Sequence, residues 1–88
     1  MKIESDKDFK ELRHYINEWR KNFPMFSHDV NQIEHIIENH IQNHSIIMVQ
    51  HRQTKSRACL EKAQLEVDAI NRVLSTVEKI ELMAILAR

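Results

Sequence analysis

Arg52-Gln53-Thr54-Lys55-Ser56-Arg57 interrupts an otherwise continuous helical pattern, and the fold turns on how these six residues are read. From residue 28 onward the chain has neither glycine nor proline. One reading is therefore a single rod of about 60 residues, ~90 Å long at ~1.5 Å per residue. The other is a helical hairpin with its turn in 52–57, where Thr54 or Ser56 caps the helix that follows. Six consecutive polar residues break the apolar seam at this point, which favours the hairpin. The lack of glycine, the usual occupant of a left-handed turn position, weighs the other way.

On either side of this stretch the pattern is that of amphipathic helices. A helix over about 28–53 presents Val30, Ile33, Ile37, Ile41 and Met48 on one face, flanked by Ile36 and Ile47. A helix over about 56–87 presents Cys59, Ala63, Ile70, Val73, Val77, Ile80 and Ala84, with Leu60, Val67 and Leu74 widening the stripe. The alternation of three- and four-residue steps is coiled-coil-like, the signature of close helix packing. Glu66 falls among these seam positions and must sit at an edge or find a partner. Ser45 is a weaker break point.

Nearer the N-terminus, Ser5 followed by Asp8 supplies a capping pattern, and Phe9, Leu12, Ile16, Trp19 and Phe23 recur on one face with Tyr15 beside them. Pro24 ends this first helix, because the residue before a proline is pushed out of the α region. The helix is expected over about 5–22. The apolar turn Phe23-Pro24-Met25-Phe26 follows, and Ser27 is the next candidate N-cap, with Asp29 in the first turn after it. The predicted fold class is all-α: a three-helix up-down-up bundle with a long coiled-coil-like hairpin, forming one domain over residues 1–88 and self-associating.

Composition agrees. The chain has 88 residues, no glycine and one proline, which argues against hairpin-rich β folds and glycine-rich phosphate loops. A chain this short buries a modest share of its surface, so efficient packing or a second copy is needed for stability. Formal charges cancel at thirteen against thirteen, so no global field recruits nucleic acid or membrane. Locally, residues 24–50 carry only the acids Asp29, Glu34 and Glu38, while 51–57 carry only the bases Arg52, Lys55 and Arg57. This basic cluster is small; a nucleic-acid contact through it is an alternative reading, and a solvated turn the simpler one. The single cysteine, Cys59, excludes an internal disulfide. No apolar run approaches the ~20 residues of a membrane span, and the N-terminus lacks a signal-peptide core. The expected location is the cytoplasm.

Candidate chemistry is sparse. His40, His44 and His51 project within about 40° of one another, in the direction of Ile33 and Ile47. The His40 to His44 spacing suits two ligands of one metal ion, but His51 lies roughly 10 Å further along the axis. Residues 65–70 opposite are expected to turn Val67 and Ile70 inward and Glu66 and Asp68 sideways. A metal site would therefore have to be shared by His40 and His44 across a dimer. The simpler reading is a polar layer in the core that sets helix register or oligomer state; a functional variant of it charges on mild acidification and loosens the bundle. Glu11-x-x-His14 has the form of a carboxylate-bundle motif, but both residues lie off the seam. Cys59 has no evident base and reads as an inert buried thiol. No cofactor and no catalytic residue is expected.

The strongest functional clue is excess apolar helix surface. Leu82 and Leu86 point nearly opposite to the Ile70–Val77 seam, so the last turns of helix 3 are apolar on almost every side. Ile46-Ile47-Met48-Val49 share this property. Either the 23–26 turn and helix 1 cover the end of helix 3, or the surplus is an interface. The expectation is a non-enzymatic protein–protein interaction module (an adaptor, chaperone or small regulator) acting as an oligomer, most simply a dimer. Its contacts would be Ile46, Val49, Leu82, Met83, Ile85 and Leu86, with Trp19 as an anchor.

Overall fold

The computed structural model describes residues 1–86. A short 3-10 turn, Asp6–Asp8, leads into α1 (Phe9–Asn22). A second, Pro24–Phe26, connects to α2 (Ser27–Thr54), and α3 (Arg57–Leu86) returns along it. This is an all-α up-down-up bundle, drawn out to 52 × 18 × 17 Å.

The hairpin is present, and the rod is not. Lys55 adopts the left-handed conformation (φ 56°, ψ 23°), and its N–H bonds the His51 carbonyl at 2.7 Å. Thr54 Oγ1 bonds back to Gln50 O at 2.9 Å and accepts from the Ser56 N–H at 3.3 Å. A helix end thus forms without glycine, using a lysine at the position where glycine is commonest.

One capping expectation is amended, and the other, Ser5 with Asp8 as a capping pair, is present. Ser27 lies inside α2, whose N-cap is Phe26 with no side-chain cap bond, because the 3-10 turn already presets helical geometry there. At the first helix, the Asp8 carboxylate accepts from the amides of Glu4 and Ser5 at 2.9 and 3.3 Å. The stretch before Phe9 is therefore a 3-10 turn, and the α-helix starts later than residue 5. Phe23 leaves the α region (φ −131°, ψ 66°), as a residue preceding proline must.

The core joins all three helices. Phe9, Leu12, Ile16 and Trp19 of α1 meet Val30, Ile37 and Ile41 of α2 and Val67, Ile70, Leu74 and Val77 of α3. Val67 and Leu74, read from sequence as widening the stripe, lie in the core, while Ile36 is exposed. The N-terminal segment adds a strap. Ile3 is buried, its N–H donating to Asn71 Oδ1 at 2.7 Å and its carbonyl accepting from Asn71 Nδ2 at 2.8 Å. The Met1 ammonium reaches Glu78 at 2.7 Å. On the other flank, Arg13 grips Glu38 through two bonds of 2.8 and 3.0 Å, and Arg20 reaches Glu34 at 3.0 Å. These pairs are solvated and set register more than stability.

The turn geometry makes a test with opposite signs for hairpin and rod. Lys55→Gly should stabilise the protein by roughly 0.5–1 kcal/mol in chemical denaturation, since glycine enters the left-handed region freely. In a continuous helix the same change would destabilise by about 1 kcal/mol. Asn71→Ala should cost about 1–3 kcal/mol by stripping both partners from the part-buried Ile3 backbone.

Candidate interaction surface

α1 is 14 residues long and the arms of the hairpin 28 and 30, so α1 runs out roughly halfway along them. It stops at Phe9, whose ring meets His44 edge-on at a centroid distance of 5.3 Å and an interplanar angle of 85°. Beyond that contact the arms form a two-helix ribbon with a groove of about 280 Å³ between them. Met48 on one side and Leu60, Ala63, Gln64 and Val67 on the other form its walls. Its closed end is made by His44 together with Glu4, Ser5 and Asp6. Ile46, Val49, Leu60 and Leu65, all on this half of the hairpin, are exposed.

A second apolar surface occupies the far end of α3. Leu82 is 56% exposed, Met83 67%, Ile85 52% and Leu86 77%. The 23–26 turn does not cover them. Phe23 and Phe26 fold inward onto Trp19, with centroid distances of 5.6 and 6.3 Å, and Met25 projects outward at 84% exposure. The aromatic turn thus seals α1 to α2 and leaves the last turns of α3 open.

Trp19 is corrected from interface anchor to core residue. It is 3% exposed, held by the two phenylalanines and by the α1 seam on which it lies, and its Nε1 has no acceptor. Burying an indole N–H without a partner is unfavourable, so the ring is retained for its packing.

The histidines separate into distinct environments. His40 Nδ1 lies 2.6 Å from Glu66 Oε2, so the seam glutamate turns toward α2 instead of sideways. His51 Nδ1 bonds the Ser56 carbonyl at 2.9 Å and closes the hairpin tip. His44, 8% exposed, packs against Phe9 and borders the groove beside Glu4, Ser5 and Asp6. Among the described residues no three His, Cys, Asp or Glu side chains converge as metal ligands. Glu11 and His14 are exposed, and Cys59 is half-buried and free. Arg52, Lys55 and Arg57 are exposed at the hairpin tip. Among the described residues no helix is long and apolar enough to cross a membrane.

No protein-family model matches this chain, and no curated protein or solved structure is significantly similar to it. Function has to be argued from the surface itself. Sequence reasoning identified Ile46, Val49 and the 82–86 residues, and missed Leu65 and the groove. The groove depends on where α1 stops relative to the hairpin, which no local periodicity encodes.

At the seam between α1 and α3, Tyr15 Oη donates to Glu81 Oε2 at 3.3 Å. Burial first, and then the Glu81 carboxylate, push the phenol up to about 12. The folded state holds this proton more tightly than the unfolded one. The resulting stability is fully present below the ordinary value of 10.0 and is lost as pH rises from there to about 12. Tyr15 is the only tyrosine, so tyrosinate absorbance reads it alone. The midpoint should lie near 12 in the native protein and near 10.0 in urea. Glu81→Gln should lower the native midpoint only part of the way, since burial remains.

Proposed function

We propose that this chain is a non-enzymatic helical interaction module that binds protein through exposed apolar helix surface and works as an oligomer. One observation carries the reading: large aliphatic side chains stand in solvent at both ends of the rod, Ile46, Val49, Leu60 and Leu65 on the hairpin half and Leu82, Met83, Ile85 and Leu86 on α3. Single exposed leucines are ordinary, whereas neighbouring ones, as at Leu82, Met83, Ile85 and Leu86, mark a contact site. The described residues also lack a converging ligand cluster, and the titratable groups with displaced values are Arg13, Tyr15 and Glu38, all of them in edge contacts between helices.

Light scattering coupled to size exclusion tests the reading directly. The wild type should elute with a mass above one chain and rise with concentration. Leu82→Asp/Leu86→Asp should retain full helix content and change stability by no more than roughly 0.5 kcal/mol per site, as exposed positions do. By contrast, Ile37→Ala in the core should cost about 2–5 kcal/mol. At least one of Leu82→Asp/Leu86→Asp and Ile46→Asp/Val49→Asp should lower the assembled mass. A wild type that stays a single chain at high concentration overturns the proposal.

A further inference from the structure

We infer that the groove on the hairpin half is filled by the hairpin half of a second copy, packed antiparallel about a two-fold axis to give a four-helix dimer. This rests on the interaction-module reading above and names its partner.

The groove carries opposite charge at its two ends. Glu4 and Asp6 form the closed end beside α1, and both are exposed. At the open end stand Arg52, Lys55 and Arg57. Arg52 is one helical turn beyond the wall residue Met48, and Arg57 one turn before the wall residue Leu60, so both charges project on the groove's side of their helices. Among the described residues no ion pair engages any of these five groups. Between the poles the walls are Met48, Leu60, Ala63 and Val67, with Gln64 the one polar side chain among them. An acid pole, an apolar middle and a base pole in line make a surface complementary to itself when inverted. That is what a two-fold interface requires, because each copy contributes the same patch.

The dimensions fit the same arrangement. On α3 the groove is lined from Leu60 to Val67, seven residues or ~10 Å at 1.5 Å per residue, and Arg57 lies one helical turn beyond its open end. Two such halves overlapped head to tail bring each basic tip to the acidic end of the other copy. They also replace, with two helices, the cover that α1 supplies on the other half of the hairpin. A parallel pairing would set Arg52, Lys55 and Arg57 against their own copies.

Two charge-reversed variants test this at low ionic strength, where screening is weakest. Glu4→Lys/Asp6→Lys makes both poles positive; Arg52→Glu/Arg57→Glu makes the closed end and most of the tip negative. Each variant alone should remain helical by circular dichroism and weaken self-association at least roughly tenfold, because like charges then meet at both ends of the interface. Mixed in equal amounts, the two should associate again, since each positive pole now finds a negative one. Recovery on mixing also excludes misfolding of either variant. If either variant dimerises as well as the wild type, or if the mixture stays monomeric, the groove does not pair this way and a different helix fills it. Should the wild type associate while the reversals have no effect, the antiparallel dimer falls and the wider reading stands. A wild type that never associates ends both.

Discussion

Fourteen residues of α1 lie against a hairpin with arms of 28 and 30 residues, and the distribution of buried surface follows from that mismatch. At ~1.5 Å per residue α1 spans about 21 Å, half of what the arms offer. Pro24 fixes one end of it and the Asp6–Asp8 turn the other. Among the described residues, the buried side chains of α2 accordingly lie between Val30 and His44, and those of α3 between Ala63 and Val77. Outside these limits the same apolar stripes continue, but only two helices are present to share them. Two helices in contact can bury the seam between them and little else, so Val49 and Leu60 are left in solvent.

Polar groups at the edges of the core fix how the three helices sit against one another. His40 with Glu66 ties α2 to α3, Tyr15 with Glu81 ties α1 to α3, and Asn71 ties the N-terminal strap to α3. Each replaces an apolar contact at a position bordering the seam, and each depends on one register. Sliding a helix by one turn would preserve much of the apolar packing, because leucine and isoleucine stripes repeat. It would strand all the polar partners at part-buried positions, where an unpaired group is costly. The apolar seam supplies the drive to pack, and these few pairs select one packing from several close alternatives.

Wherever one helix face was enough to decide, the sequence was legible. The seams Phe9–Leu12–Ile16–Trp19 and Val30–Ile37–Ile41 are the observed core, and the polar break at 52–57 is the observed turn. What escaped depends on relations between elements. Ile3 is buried, yet it precedes the first helix and has no periodicity to reveal it. Trp19 was legible as a seam residue, but whether a seam faces the core or a partner depends on the aromatic turn 23–26 folding back on it. Glu66 was rightly marked as needing a partner; that His40 would supply it required the helix rotation that tertiary packing sets. Lys55 in a left-handed conformation is the least foreseeable, since the loop contains no glycine to announce it.

The two uncovered surfaces differ in kind, and the difference bears on how such a module achieves selectivity. The end of α3 reads Leu82-Met83-Ala84-Ile85-Leu86, apolar throughout, so it offers contact area without a preferred direction. A surface of that sort favours burial with whatever fits, since the hydrophobic effect is non-directional. The groove combines a smaller apolar strip with charge of opposite sign at its ends, and charge placement fixes register and rejects wrong orientations more than it adds affinity. On the proposed reading the groove therefore determines how two copies meet. The end of α3, carried about half the rod's length away, remains free to meet something else. An exposed apolar end with no charged residues of its own among positions 82–86 is a liability for a monomer, and it becomes usable once the groove has already fixed the assembly around it.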